Sequence, residues 1–247
     1  MIYVTGDCHG DYQRFTRMNF QEQQEMSKED YVIITGDFGL WKKDGEQEYW
    51  LNWLDEKPFT TLWIDGNHEN FDLLKEYPKD MWNGGEIHKI RPTVLHLMRG
   101  QVYTIEGKKF FTFGGASSHD ISGGILEPDD PQFKEKKRRL DKNRSLYRIH
   151  HISWWKEELP NRLEYETGLE NLKRHNNHVD YIITHCCATS TQAILSGGRF
   201  QADECTDYLE LLKHRIGYRQ WYFGHYHQDK RVSDKETLLY KRIERIL

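Results

Sequence analysis

The sequence predicts an α/β fold, in which short buried strands alternate with helices and end in polar loops. Five apolar or β-branched runs stop at a Gly, Asp or His, at residues 2–5, 31–35, 61–64, 181–184 and 221–223. Continuous apolar runs of this length are typical of strands that helices or a second sheet cover on both faces. Helical patterns occur between them, at residues 12–26, 46–55, 71–77 and 163–176. Strands that alternate with helices indicate an α/β fold.

Two hairpin signals predict that part of the sheet structure is antiparallel. Residues 101–105 and 109–113 flank the turn sequence Glu106-Gly107-Lys108. Residues 230–246 alternate between apolar and polar side chains, which predicts a second hairpin around Ser233-Asp234-Lys235. We therefore expect strands of both orientations.

The chain is long enough to form one large α/β domain, and we take residues 1–247 as a single domain. Residues 119–160 interrupt the pattern with a Gly-Gly pair, a proline-rich turn, a basic cluster at residues 134–139 and the pair Trp154-Trp155. We interpret this segment as an insertion. It either shapes a substrate entrance or forms a solvated loop or an oligomer contact.

The composition narrows the class of protein. Abundant aromatic residues argue against disorder, and a formal net charge of −4 argues against a surface that binds nucleic acid throughout, although it is compatible with a local basic groove. The first residues contain no basic region followed by an apolar stretch, and no run reaches membrane-spanning length. We therefore expect a cytoplasmic protein that does not bind a membrane.

The four cysteines lack the paired spacing of a structural zinc site and form no disulfide framework. We expect reduced thiols. Cys8, Cys186 and Cys187 lie beside candidate metal ligands, so a role in soft-metal binding or redox chemistry is the alternative.

Candidate metal ligands follow the predicted strands. They are two aspartates, one asparagine and four histidines: Asp7, His9, Asp37, Asn67, His185, His225 and His227. Because the carboxyl ends of strands in an α/β sheet project their loops into one crevice, these side chains can converge. Oxygen and imidazole ligands suit divalent manganese, iron, zinc or nickel. One such motif alone is weak evidence for a metal site, since a histidine near a strand end is usually only hydrogen-bonded. The prediction therefore depends on the joint occurrence of all the motifs.

The series of motifs resembles the calcineurin-like metallophosphoesterases. From Gly6 to His227 it reads Gly-Asp-x-His, Gly-Asp, Gly-Asn-His-Glu, His and Gly-His-x-His, in the order found in that family. The resemblance implies a pair of packed mixed β-sheets, a sandwich, flanked by α-helices. It also implies two cation sites joined by Asp37, one formed by Asp7, His9 and His227 and the other by Asn67, His185 and His225.

The same resemblance implies a mechanism. Two cations about 3.5–4 Å apart lower the pKa of a shared water and neutralise the charge that develops during an in-line displacement. His68 is implied as the catalytic histidine, which donates a proton to the leaving oxygen. Glu69 either keeps His68 protonated or belongs to the first turn of the following helix. Two manganese ions are the expected cofactor, with iron, zinc or nickel as alternatives.

The sequence departs from the phosphoprotein phosphatases, which carry an Asp-Arg-Gly shortly after the second motif. Here Asp37 is followed by Phe38-Gly39-Leu40-Trp41, so the phosphate-gripping arginine of that branch is not in place. Dephosphorylation of proteins is therefore disfavoured. Candidate replacements are Arg14, Arg17 and Arg199, each of which is also explained as a solvated arginine.

The leading functional hypothesis is hydrolysis of a phosphate mono- or diester in a small molecule, a nucleotide or a nucleic-acid end. The second is a nuclease in which the basic cluster at residues 134–139 and the nearby tryptophans bind a polynucleotide. A mixed charge run is more often a solvated helix face. The third is a non-catalytic scaffold, which the full ligand set disfavours.

Overall fold

The computed structural model describes residues 1–247 and confirms the predicted α/β class. The strands are β1 (Ile2–Thr5), β2 (Tyr31–Ile34), β3 (Thr60–Trp63), β4 (Lys79–Trp82), β5 (Gly85–Arg91), β6 (Val94–Leu97), β7 (Gln101–Ile105), β8 (Lys108–Phe113), β9 (Ile125–Leu126), β10 (Arg148–Ile149), β11 (Tyr181–Thr184), β12 (Gln220–Phe223), β13 (Lys230–Arg231), β14 (Glu236–Leu238) and β15 (Ile243–Arg245). The helices are α1 (Gly45–Asp55), α2 (Phe71–Leu74), α3 (Phe133–Asn143), α4 (Arg162–Arg174), α5 (Thr189–Ser196) and α6 (Glu204–Arg215).

Two large sheets form the centre of the molecule, and both are mixed, as the family resemblance implied. The first has seven strands in the order β15-β1-β2-β3-β6-β5-β4, with β1, β2, β3 and β6 parallel. The second has six strands in the order β13-β14-β12-β11-β8-β7, with β8, β11, β12 and β14 parallel. Strands β9 and β10 form a separate small pair inside the segment 119–160.

Alternating side chains of each strand face different layers, which explains the continuous apolar runs. In β1, Ile2 and Val4 join a buried cluster that also contains Tyr181 and Ile183 of the second sheet, so this layer lies between the sheets. Tyr3 belongs instead to the cluster that includes side chains of α1. Because successive strand residues point to opposite faces, a strand covered on both faces is apolar throughout.

The segment 12–26 is not the predicted helix. It forms only two short 3-10 turns, Gln13–Phe15 and Gln21–Glu25. The hydroxyl of Tyr12 donates to the carbonyl oxygen of Phe38, and the side-chain amide of Gln23 donates to the carbonyl oxygens of Phe15 and Phe20. These side-chain bonds to the backbone replace helical ones, so the apolar spacing here reflects burial rather than helix periodicity.

Two of the other predicted helices are confirmed closely, because their sequences carry start signals. Asp44 caps α1 by accepting from the backbone nitrogen of Gln47, and Asn161 and Glu164 form a capping box at the start of α4. Helix α2 ends at Leu74, earlier than predicted. Helices α3, α5 and α6 had no counterpart in the sequence prediction. No helix combines the length and apolar character needed to cross a membrane.

Both predicted hairpins are present. Strands β7 and β8 pair antiparallel around Glu106 and Gly107, and β13 pairs antiparallel with β14. The residues after β14 do not continue that hairpin, since β15 crosses to the other sheet and pairs antiparallel with β1. The four cysteines are free and buried.

A polar network, buried except for Glu164, is centred on the residue directly after β3, and we call it the Asp65 network. Its members are Asp65, His88, His96, Arg99 and Glu164. Arg99 donates to Asp65 Oδ2 from Nε at 2.8 Å and from Nη2 at 2.5 Å, and His96 Nε2 lies 3.1 Å from Asp65 Oδ1. His88 Nδ1 lies 3.0 Å from His96 Nδ1, and Arg99 Nη1 reaches Glu164 at 3.2 Å. The network fixes the residue that immediately precedes Gly66-Asn67.

Candidate metal centre

The seven predicted ligands come from the carboxyl ends of parallel strands in both sheets. Asp7 and His9 follow β1, Asp37 follows β2 and Asn67 follows β3, all in the seven-stranded sheet. The remaining ligands belong to the six-stranded sheet, where His185 follows β11 and the pair His225 and His227 follows β12. The structure brings all seven together where the two sheets meet, rather than at the edge of a single sheet.

One group of candidate ligands consists of Asp7, His9, Asp37 and His227. His9 Nε2 lies 2.9 Å from His227 Nε2, and His227 Nε2 lies 3.2 Å from Asp7 Oδ2. Asp37 Oδ2 is 3.6 Å from His9 Nε2. One potential ligand atom of each residue lies within 4.8 Å of the others, which is close enough for a single ion to contact all four.

The second group consists of Asn67, His185 and His225. His185 Nε2 lies 3.1 Å from Asn67 Oδ1 and 3.5 Å from Asp37 Oδ1. The rings of His185 and His225 are 5.0 Å apart, and the Nε2 atom of His225 is buried without a hydrogen-bond partner. Asp37 therefore turns one carboxylate oxygen toward each group, which is the arrangement that a bridging ligand requires.

The charges of this cluster fit a pair of divalent cations. Asp7 and Asp37 are 0% and 1% exposed, and their only ion-pair partners are histidines. Burial alone would raise the pKa of Asp37, but the neighbouring His185 lowers it well below its usual range, so this carboxylate is ionised. Buried carboxylates without Lys or Arg partners are costly unless a cation pairs with them. Ligand atoms about 3 Å apart are compatible with metal–ligand bonds of about 2.0–2.2 Å.

The backbone of the cluster is held in an uncommon conformation. His9, Asp37, His225 and His227 have φ angles of 48°, 46°, 70° and 49°. For residues with a Cβ atom, such conformations cost on the order of 1–3 kcal/mol each and persist where the surroundings fix them. Two hydrogen bonds hold Asp37 and His225 in this way: Asp37 Oδ1 accepts from the backbone nitrogen of His68 at 2.8 Å, and Asp7 Oδ1 accepts from that of His225 at 3.1 Å.

Glycines allow the backbone to approach both carboxylates. A Cβ atom at Gly66 would overlap Oδ1 of Asp37, and one at Gly224 would overlap Oδ1 of Asp7. The glycines of the Gly-Asn-His-Glu and Gly-His-x-His motifs are therefore needed for the shape of the cluster.

His68, the predicted catalytic histidine, lies beside the cluster and is partly exposed. Its ring is 5.6 Å from that of His9. Burial lowers the pKa of His68, while the negative charge of Asp37 opposes that shift. His68 thus stands next to the candidate ligands without joining them, as a proton donor to a substrate would.

Glu69 has neither of the two roles considered from the sequence. Its carboxylate is completely buried and accepts hydrogen bonds from the backbone nitrogens of Phe38, Gly39 and Leu40 at 2.6, 3.1 and 3.0 Å. Helix α2 begins later, with Asn70 as its cap. Glu69 therefore fixes the loop after Asp37 rather than the protonation of His68.

The arginines proposed to grip phosphate are mostly engaged elsewhere. Arg14 donates to Oγ1 of Thr5 and to the carbonyl oxygens of Gly6 and Asp7, so it braces the loop that carries the first two ligands. Arg199 donates from Nε to the carbonyl oxygen of Ser196 at 2.8 Å. Arg17 is exposed.

Residues at the beginning of the segment 119–160 and just before it contact the cluster, and no sequence motif predicts these contacts. Ser118 accepts from the side-chain amide of Asn67 at 3.2 Å and donates to Glu158, which turns the amide oxygen of Asn67 toward His185. The ring of His119 lies 5.0 Å from that of His225. Neither residue belongs to a motif, so only the folded chain identifies them.

The basic cluster at residues 134–139 lies on α3, a helix without buried residues, and Lys136 and Lys137 pair with Asp130 and Asp141. Of the nearby tryptophans, Trp155 is buried and its indole nitrogen donates to Asp72. The hypothesis that these tryptophans stack on a polynucleotide is therefore wrong for Trp155, and the basic cluster lies on an exposed helix face.

The comparison with known families decides the assignment. A profile of the calcineurin-like phosphoesterases matches residues 1–229. The chain belongs to this family. The resemblance found in the motifs is confirmed, and it places the protein in a class of metal-dependent hydrolases that act on phosphoester bonds.

Two curated relatives of this phosphoesterase share a name. Lariat debranching enzyme A of Xenopus laevis is 26% identical over 172 residues, which cover 63% of this chain and 30% of the relative. Lariat debranching enzyme of Danio rerio is 25% identical over 174 residues, which cover 63% of this chain and 28% of the relative. The match thus spans less than a third of the length of either relative.

Proposed function

We propose that this phosphoesterase hydrolyses a phosphodiester bond in a nucleotide or nucleic acid, using two divalent cations held by the seven candidate ligands. The observation that carries the proposal is the position of Asp37, whose two carboxylate oxygens face the two ligand groups. The nucleic-acid substrate class is supported by the relatives, which are named for the debranching of lariats. Manganese and a cytoplasmic location are the expectations from the sequence.

In this proposal the ligands divide as the family resemblance implies. Asp7, His9 and His227 hold one cation, and Asn67, His185 and His225 hold the other. Asp37 contacts both. When bound, such a pair of cations supplies a nucleophile at neutral pH and neutralises charge that develops on the phosphate.

His68 supplies the proton in the proposed reaction. Its backbone is held on both sides, because its N–H donates to Asp37 Oδ1 at 2.8 Å and its carbonyl oxygen accepts from the indole nitrogen of Trp41 at 2.8 Å. A ring nitrogen of the protonated imidazole donates to the leaving oxygen as the ester bond breaks. A lowered pKa makes the imidazolium a stronger acid.

Activity assays with added cations test the metal part of the proposal. Purified protein is assayed with bis-p-nitrophenyl phosphate and p-nitrophenyl phosphate in the presence of manganese, zinc, nickel or ferrous ions. We expect the unaltered protein to hydrolyse the diester. Asp37→Asn should lower its turnover roughly 10³-fold, because the ligand shared by both cations is removed.

The matched control is Asp80→Asn, which changes an exposed carboxylate on β4 and should retain full turnover. Absence of turnover with every divalent cation would contradict the proposal and support a non-catalytic scaffold. Turnover of the monoester alone would replace the diester assignment by a monoesterase.

The role of His68 is tested by changing the leaving group. His68→Ala should lower turnover by roughly 10²- to 10⁴-fold for an alkyl leaving group, which needs a proton, and by much less for nitrophenolate, which does not. The ratio of the two kcat values is the measurement. An equal loss for both leaving groups would remove the proton-donor role.

A further inference from the structure

A groove extends from the candidate metal centre across the loop after β2. Its volume is about 310 Å³, and its lining includes His9, Gly10, Trp41 and Trp50. His9 is also a candidate ligand, so the groove is continuous with the place where a phosphate would bind. Cavities of a few hundred Å³ are typical of small-molecule sites.

Trp41 is held in a fixed position at this groove and is nevertheless exposed. Its indole nitrogen donates to the carbonyl oxygen of His68 at 2.8 Å, and its backbone nitrogen donates to the side chain of Gln47 at 3.1 Å. Its ring lies over Gly10, where a Cβ atom would be 3.5 Å away. Trp41 is 42% exposed and is the only one of the eight tryptophans among the exposed residues.

The charges around the groove are unfavourable for a second phosphate. Three carboxylates, those of Asp11, Asp44 and Glu46, line it together with a single lysine, Lys42. An anionic group placed here would be repelled, whereas a neutral planar group with N–H donors finds acceptors around it. The groove therefore disfavours an anionic group and accommodates an uncharged aromatic group attached to a phosphate at the candidate metal centre.

We propose that Trp41 stacks on a nucleobase of the substrate, with the base in this groove and its phosphate at the metal centre. The inference rests on the proposed function and names its substrate class, a nucleoside phosphate ester or the end of a nucleic acid. Aromatic side chains bind bases through stacking that tolerates different sequences, since every base has a π face. Trp41 is a binding residue in this arrangement, and its contribution appears mainly in affinity.

A binding experiment tests the base contact without turnover. The ligands are the methylenephosphonate analogue of AMP, whose C–P bond is not hydrolysed, and ethylphosphonate, which lacks the nucleoside. Calorimetry on the manganese-loaded protein should show tighter binding of the AMP analogue, and Trp41→Ala should reduce that preference about 10- to 100-fold, in line with the loss of one stacked base.

Two further variants separate stacking from other effects. Trp41→Phe keeps an aromatic ring but loses the hydrogen bond to His68, so it should retain most of the preference for the AMP analogue. Met81→Ala removes an exposed apolar side chain on β4, outside the groove, and should keep the full preference. An unchanged preference in Trp41→Ala, or an equal loss in Trp41→Phe and Trp41→Ala, would overturn the proposal.

A kinetic comparison separates failure of the groove from failure of the proposed function. The p-nitrophenyl esters of thymidine 5′-phosphate and thymidine 3′-phosphate share their leaving group with ethyl p-nitrophenyl phosphate. Trp41→Ala should raise KM for at least one nucleotide ester about tenfold more than for the ethyl ester. Equal changes for all three esters would overturn the base contact alone. Absence of hydrolysis of all three by the unaltered protein would contradict the phosphodiesterase function, and calorimetry would still report on the groove.

Discussion

Two buried clusters of aspartate and histidine meet at the loop after β3, and they differ in how their charges are paired. In the Asp65 network, the carboxylate of Asp65 receives two hydrogen bonds from Arg99 and lies next to His96. In the candidate metal centre, Asp7 and Asp37 have only histidines as ion-pair partners, and the Nε2 atom of His225 has no hydrogen-bond partner. The same residue types thus form one cluster whose carboxylate is paired with an arginine of the protein and one whose carboxylates have no Lys or Arg partner.

The two clusters also differ in their backbone conformation. Four candidate ligands have positive φ angles, whereas none of the five members of the Asp65 network does. Strained residues gather at functional sites, where other interactions keep them in place. Unpaired polar atoms together with backbone strain thus distinguish the candidate metal centre from the Asp65 network, and buried charge alone does not.

The two clusters should differ most in how cations stabilise the protein through them. Saturating manganese should raise the Tm of the unaltered protein by several degrees, because ligands that bind only the folded state stabilise it by about 4 kcal/mol at a thousand times their Kd. Asp37→Asn should lose most of this increase, while Asp65→Asn should keep it. Differential scanning fluorimetry with and without EDTA gives the measurement. An equal loss in both variants would mean that the two clusters are not distinct.

Removal of Asp65 should cost stability even without cations. Asp65→Asn leaves the Arg99 guanidinium buried with an incomplete set of partners, and breaking a buried pair in this way costs about 3–5 kcal/mol. Urea unfolding of the metal-free protein measures the change. Glu76→Gln, which breaks the exposed pair with Lys43, is the matched control and should leave the free energy of unfolding nearly unchanged. A loss of stability in Asp65→Asn as small as that of the control would show that the Asp65 network contributes little to the free energy of unfolding.

A smaller effect concerns the pH dependence of stability. Burial, reinforced by His96 and Lys79, lowers the pKa of His88 to about 3. The unfolded chain has a pKa near 6.5 at this position, so it binds more protons than the folded one between about pH 3 and 6.5. The contribution of neutral His88 to the free energy of unfolding is therefore complete above about pH 6.5, and it is lost as the pH falls from about 6.5 to 3.

Replacement of His88 should therefore flatten the acid limb of the stability curve. His88→Gln removes the titrating group, and the free energy of unfolding should fall by about 2 kcal/mol less between pH 7 and pH 5 than in the unaltered protein. Urea unfolding at several pH values measures the slope. An unchanged slope would mean that His88 is protonated in the folded protein as readily as in the unfolded chain.

The strands and the ligand cluster were predictable because both follow from local sequence. Each ligand lies within a few residues of an apolar run that ends abruptly, so Asp7, Asp37 and Asn67 could be placed at strand ends without knowledge of the fold. Local sequence was not sufficient where contacts between distant residues decide the structure. Apolar spacing in the segment 12–26 resembles a helix, but the bonds of Tyr12 and Gln23 to the backbone give 3-10 turns.

The interactions that the sequence did not reveal connect residues far apart in the chain. Asp65 contacts Arg99, and Asn67 contacts Ser118, without any periodic pattern that relates the partners. The same holds for the groove, because Trp41 and Gly10 come from different loops. Positions of this kind are determined by how the sheets pack, and local patterns carry no information about them.

The origin of the ligands from both sheets has a consequence for biosynthesis. Four of them occur by residue 67, whereas the other three occur only from residue 185 onward. A ribosome therefore delivers the early group of candidate ligands long before the later group emerges. In the proposed two-cation arrangement, tight binding of both ions requires docking of β11 and β12 against the part already made, so metal loading would follow synthesis of most of the chain. Chelation should then loosen the junction between the sheets before it affects the strands within either one.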